Sequence, residues 1–300
     1  MVAREHALVG VATDDSGGCA GVSGLLREVW SGLRGEPSLQ LWAARRGIPL
    51  HHYRRERAEA FADWLRRLEP DLLVTCKAPL LPASVFTLPR HGAINIHYSL
   101  LPAYRGGSPL LWQVVNGEAR GGVTIHYIDA GIDTGPVLRQ APLPLPRGAT
   151  AAQLERLLGK LAATLLADAL AAVAAGERGV TPARPTNEMV FARNIAQASL
   201  VDFIDWDDWP LEKIWRVLRF MAFWPAGHGI PPGWPRLMRW RVGGIVSRDA
   251  VLPAGGWRID APGCRLLLRT RRGTIELMPS LHPPTLLRGW RGLRRPLRCG

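Results

Sequence analysis

Three hundred residues, 47% of them apolar, can bury a large core and divide it between two domains, which excludes the small folds that need staples to hold. Cys19, Cys76, Cys264 and Cys299 stand far apart with no CxxC or Cys/His cluster, so they are read as reduced thiols, with neither a structural zinc site nor a disulfide framework. The net charge of +13 is uneven: residues 1–200 hold 21 Lys and Arg against 17 Asp and Glu, whereas residues 201–300 hold 17 against 8.

From Lys213 onward only Asp249, Asp260 and Glu276 oppose the basic residues, and unpaired cations of this kind suit a polyanionic partner. A second explanation stays open, because only Lys77, Lys160 and Lys213 are lysines and a genome-wide arginine bias would give the same excess. Glu155, Arg156, Lys160 and Asp168 interrupt the most apolar helix candidate, and residues 1–6 have no apolar stretch of the kind a secretory signal needs. The expectation is a cytoplasmic protein with no membrane partner.

In chain order, the apolar run at residues 7–12 reads as a buried strand running into a loop at Thr13, Asp14 and Asp15. Residues 55–68 place Phe61, Trp64, Leu65 and Leu68 at helical spacing, with Glu69 and Pro70 as a stop. Residues 71–76 and 92–97 are further buried strands. Ser108 and Pro109 open a helix as N-cap and first-turn proline, and Asn116 and Gly117 close it. Residues 123–128 form another strand. Such alternation of strands and helices predicts a mostly parallel, doubly wound α/β sheet. Thr150 to Gln153 makes a capping box for an Ala/Leu-rich helix ending at Gly176.

Residues 181–203, with Pro182 and Pro185, read as a linker between a domain at 1–180 and a domain at 204–300. The second domain is predicted to open with a helix over 211–220. It continues in short apolar runs at 257–259, 265–268 and 274–278, the texture of a small β-barrel.

The chemistry is concentrated at Asn95-Ile96-His97 and at Asp133, which lies within Gly131 to Gly135. Alternate residues of a strand share a face, so Asn95 and His97 project together, and a glycine-bracketed loop can bring Asp133 to them. An amide donor, a titratable ring and a carboxylate suit acyl transfer to an amine. Structural alternatives are plain: Asp favours glycine-flanked turns, and the triplet Tyr104, Arg105 and Gly106 is also a surface-turn sequence. His126 reads as a satisfied core histidine. Trp206, Trp209, Trp215, Trp224, Trp234 and Trp240 read as packing rather than base-stacking platforms, and the arginine-rich stretch at 288–298 as a solvated end.

The run NIHYSLLPAYRGGSPLLWQVVNGEARGGVTIHYIDAGIDTG resembles the catalytic core of the folate-dependent formyltransferases. Weaker similarity extends over residues 7–175. Ile204-Asp205-Trp206 and Trp224-Pro225 are similar to the start of the C-terminal domain of methionyl-tRNA formyltransferases and amino-sugar formyltransferases. The resemblance implies a Rossmann-like domain, a smaller OB-like β-rich C-terminal domain, and N10-formyltetrahydrofolate as formyl donor. It implies catalytic roles for Asn95, His97 and Asp133. It also places Ser99, Leu100, Leu101 and Pro102, with the loop carrying Lys77 and Leu80, beside the folate.

Relatives of this kind begin with a strand and helix ahead of the segment matching residues 7–12. Here residues 1–6 resemble the end of that helix, which leaves the central first strand absent and points to a misassigned start or a truncated gene. Tyr98 and Lys77 also depart from the pattern. The leading expectation for the acceptor is the amino group of methionyl-tRNA, or another phosphate-bearing amine. An amino-sugar nucleotide is the nearest alternative. Formyl-folate hydrolysis, glycinamide ribonucleotide formylation and a non-catalytic RNA-binding remnant stand further off.

Overall fold

A computed structural model describes residues 6–14, 39–182, 190–195, 199–224, 239–246, 256–260, 265–270 and 273–280. The expectations for Cys19, Cys264, Cys299, Pro185, Pro225, Trp234 and residues 288–298 lie outside these. The chain divides into two compact units, one of Met1–Gly107, Gly122–Pro142 and Gly159–Phe191, the other of Ser108–Gly121, Leu143–Leu158 and Ala192–Gly300. The division differs from the single cut read from the sequence, because residues 108–121 and 143–158 group with the C-terminal part.

In the first unit, β1 (Val11–Asp14) pairs in parallel with β2 (Leu50–Tyr53). The strand read at residues 7–12 therefore lies further along the chain. Between them is α1 (Leu39–Ala44), and after them a 3-10 turn at Arg55–Arg57 leads into α2 (Ala58–Leu68). Phe61, Ala62 and Leu65 form its buried stripe against Tyr53 and Val85. Each large side chain buried there is worth about 1.5–3 kcal/mol. Glu69 closes α2 in the left-handed region at φ 45°, its N–H donating to Leu65 O, just before Pro70 rules out another turn.

A four-stranded sheet follows, ordered β3 (Leu73–Cys76), β4 (Ala93–His97), β5 (Arg120–Tyr127), β6 (Val137–Pro144), with α3 (Ala83–Phe86) between β3 and β4. β3 and β4 are parallel, Thr75 opposite Asn95. β4 and β5 are antiparallel, Asn95 opposite His126 and His97 opposite Thr124. The mostly parallel sheet read from the alternation is thus corrected at β5. Apolar runs record that a strand is buried, not the end from which the chain enters it. Among the described residues β1 and β3 each pair on one side only, in separate sheets.

Helix α4 (Pro109–Asn116) starts with the expected first-turn proline and ends at Gly117, φ 73°. Ser108 stands at the N-cap position as expected, but its side chain makes no capping bond: the hydroxyl reaches Asn194 Oδ1 at 3.1 Å instead. The capping box holds, with Thr150 N–H donating to Gln153 Oε1 at 2.9 Å and Gln153 N–H to Thr150 Oγ1 at 3.3 Å. It starts α5 (Ala151–Ala174), whose buried Leu154, Leu158, Ala162, Leu165, Ala169, Ala172 and Val173 recur every three or four residues. By length and composition α5 could also cross a membrane, but its buried stripe is that of a helix lying on protein.

The C-terminal unit continues with α6 (Leu200–Phe203) and α7 (Leu211–Met221). An antiparallel sheet then runs in the order β7 (Arg239–Val246), β10 (Gly273–Ser280), β9 (Arg265–Thr270), β8 (Trp257–Asp260). Ile214, Val217 and Leu218 of α7 pack with Trp240, Leu266, Ile275 and Leu277 of the sheet, and with Trp224. Trp206, Trp209 and Trp215 lie partly buried against this core. These tryptophans pack against the core, as expected of them over base-stacking platforms.

Candidate active site

The two consecutive alternate positions of β4, flanked by β3 and β5, carry Asn95 and His97 on one sheet face. The amide of Asn95 is held from both sides: Thr75 Oγ1–H donates to its Oδ1 at 2.9 Å, and its Nδ2 lies 3.3 Å from His126 Nε2. His97 Nδ1 is 3.6 Å from Asp133 Oδ2, and His126 Nε2 is 3.5 Å from Asp133 Oδ1. One carboxylate therefore stands between two nearly buried imidazoles, whose rings are 6.2 Å apart and almost perpendicular.

The loops that deliver these groups are tied down by buried bonds. After β4 the chain turns at Ser99, whose hydroxyl donates to Ala103 O at 2.7 Å, and passes a cis Leu101–Pro102 bond. Thr124, fully buried on β5, holds it: its hydroxyl donates to Ser99 O at 2.7 Å and accepts from Leu101 N–H at 3.1 Å and from Gln140 Nε2 at 2.7 Å. The loop then presents two backbone groups to the cluster. Tyr104 O accepts from His97 Nε2 at 2.9 Å, and Gly106 N–H donates to Asp133 Oδ2 at 2.8 Å. Asp133 itself sits in a turn whose tightness depends on glycine, since a Cβ at Gly135 would collide with Tyr127 O.

Two opposed effects set the charge state. Burial pushes the His97 imidazole below its usual 6.5, against the pull of the Asp133 carboxylate and the Tyr104 carbonyl. Burial alone would raise Asp133, but bonding to His126, the charge of His97 and the Gly106 N–H together leave it below its usual 3.8. Near neutral pH the site holds an ionised acid beside a neutral His97. Among the described residues no three or more His, Cys, Asp and Glu side chains are grouped to hold a metal ion.

Residues 35–170 match the family model described as "Formyl transferase". The chain is 33% identical over 242 residues, 78% of its length and 76% of the relative's, to a protein named methionyl-tRNA formyltransferase from Stenotrophomonas maltophilia (strain K279a). A relative of the same name from Anaeromyxobacter dehalogenans is 34% identical over 280 residues, 88% of this chain and 86% of that one. The chain belongs to the formyl transferase family. It is a folate-dependent formyltransferase, and its co-substrate is a folate derivative. Solved structures agree in fold. HypX from Aquifex aeolicus, crystallised in complex with tetrahydrofolic acid, superposes with a TM-score of 0.55 at 18% identity over 78% of this chain and 40% of that one. WlaRD, a sugar 3N-formyltransferase, superposes with a TM-score of 0.55 at 14% identity over 91% of this chain and 88% of that one.

In this formyltransferase the remaining residues expected at the site fall into two groups. Ser99 and Leu101 are buried and Leu100 packs toward Gly122, so these three build the loop, with Pro102 partly exposed beside them. Lys77 and Leu80 are exposed, just beyond the end of β3. Because β3 and β4 are parallel, that end is also the one from which His97 projects, the edge where open α/β sheets bind ligands. Lys77 takes φ 56° and sets its ammonium 5.7 Å from the Tyr98 ring centroid. Arg105 Nε is buried without a hydrogen-bond partner. His126 and Thr75 were missed as site residues in the sequence. The faint signal for His126 is its strand position in Val-Thr-Ile-His, whose outward or inward face cannot be assigned until β4 is laid beside it.

Proposed function

We propose that this formyltransferase moves the formyl group of N10-formyltetrahydrofolate to the amino group of methionyl-tRNA, and that Asn95, His97 and Asp133 carry the chemistry. The observation behind the catalytic assignment is the buried contact of His97 with Asp133 next to the doubly held Asn95 amide. Asn95 has an amide N–H to give to the formyl oxygen. His97 stabilises the negative charge that develops there. The tautomer follows from the backbone: Tyr104 O only accepts, so His97 Nε2 bears the hydrogen and neutral Nδ1 turns a lone pair toward Asp133. The pair is one proton short. The proton lost by the attacking amine, passed directly or through water, fills that gap. It leaves an imidazolium whose positive charge offsets that of the oxyanion, and the proton passes on to the folate nitrogen as the bond between that nitrogen and the formyl carbon breaks.

Support for tRNA as the acceptor comes from the names of the relatives at 33–34% identity and from the basic C-terminal hundred residues. An amino-sugar nucleotide is the second reading, favoured by the near full-length superposition on WlaRD. Incubation with N10-formyltetrahydrofolate and a panel of methionyl-tRNA and amino-sugar nucleotides tests both. Release of tetrahydrofolate with methionyl-tRNA alone is expected, and release with a sugar nucleotide alone would replace the acceptor.

A further inference from the structure

We infer that His126 is a positioning residue: an imidazole nitrogen lone pair that selects which end of the Asn95 amide faces the substrate. The inference rests on the catalytic assignment of Asn95 and adds a partner to it. An asparagine amide has two ends of nearly equal shape and opposite hydrogen-bonding sense, so its flip state is decided by its neighbours. His126 Nδ1 lies 2.8 Å from Tyr127 O. A carbonyl accepts only, so Nδ1 carries a hydrogen, and the acceptor nitrogen of this tautomer is Nε2. That acceptor is 3.3 Å from Asn95 Nδ2, and on the far side Thr75 donates to Oδ1. The demand for this orientation comes from His126, because the Thr75 hydroxyl can also donate to Ile94 O, 3.2 Å away, and accept in its turn. One hydrogen of the NH2 group is used on His126, and the other is left for the formyl oxygen.

With the amide reversed, Oδ1 would meet the His126 lone pair and also present a lone pair to the developing oxyanion. All three partners come from adjacent strands in register, Thr75 and His126 each directly opposite Asn95, which leaves the amide little freedom to tilt. The other groups facing His126 are Asp133 Oδ1 at 3.5 Å and the His97 ring.

The test is a double-mutant cycle on the full chain, read as kcat and KM for N10-formyltetrahydrofolate with whichever acceptor the wild type uses. His126→Leu and Thr75→Val should each lower kcat about tenfold to a hundredfold with KM little changed. His126→Gln, which restores an acceptor oxygen, should recover part of the loss. Combining His126→Leu with Asn95→Ala should be no slower than Asn95→Ala alone, because the histidine acts only through the amide. Losses that multiply, or wild-type kcat in both single variants, would overturn the inference and leave the function standing. Wild-type turnover in Asn95→Ala would overturn both. Should His126→Leu not fold, the same cycle with His126→Phe, which keeps a flat ring without the acceptor nitrogen, decides.

Discussion

Asp133 and Tyr104 both sit in the left-handed region, at φ 52° and 59°, where an L side chain costs about 1–3 kcal/mol. Each strained residue is pinned by the cluster it serves: Asp133 by the Gly106 N–H, Tyr104 by the bond from His97 to its carbonyl. Asp133→Asn keeps a residue that tolerates this backbone but removes the charge. It should cost on the order of a hundredfold or more in turnover with a melting temperature close to wild type. Asn95→Ala removes one oxyanion donor and should cost roughly 3–4 kcal/mol of transition-state stabilisation, a loss in kcat measured at saturating donor. The pH dependence of stability follows from His97. Its pKa is lowered in the fold, so below 6.5 the unfolded chain binds a proton that the folded one refuses, and stability falls as pH drops through that window. In His97→Gln, denaturant unfolding between pH 6.5 and 5 should show a shallower decline than in wild type; an unchanged slope would remove His97 as its source.

The site hangs on how loops leave their strands. Thr124 and Gln140 fix the turn after β4 by satisfying Ser99 O, Leu101 N–H and Leu101 O, with Gln140 Nε2 2.9 Å from the last. The Asp133 turn depends on a close backbone approach, so Gly135→Ala must push Tyr127 O aside. A loss of about 1–3 kcal/mol in urea unfolding is expected, along with reduced turnover, since the shift lands beside His126. At the start of α5 the reciprocal box is more local, and Thr150→Ala should cost about 1 kcal/mol with turnover unaffected. These elements were readable in outline because proline, glycine and capping residues leave local marks. Ser108 shows the limit: its side chain was drawn to Asn194, 86 residues away, and no local rule registers such a competitor.

At the scale of the molecule, the charge surplus makes a prediction about binding rather than folding. If methionyl-tRNA is the acceptor, its affinity should fall steeply as salt rises, because each phosphate neutralised releases counterions; a flat salt response would remove the phosphate contacts from the reading. The order of apolar runs was enough to recover the α/β class and the β-rich C-terminal part, and strand alternation with a glycine-bracketed loop was enough to bring Asn95, His97 and Asp133 together. Period-two alternation, turn glycines and side-chain chemistry are all local properties written residue by residue. Strand direction at β5, the separation of β1 and β2 from the main sheet, and the grouping of residues 108–121 and 143–158 with the C-terminal unit came only with the tertiary structure. So did His126. Which histidine faces an amide depends on pairing between segments about thirty residues apart, and that pairing is settled by the burial of whole sheet faces, not by the residues next to it in the chain.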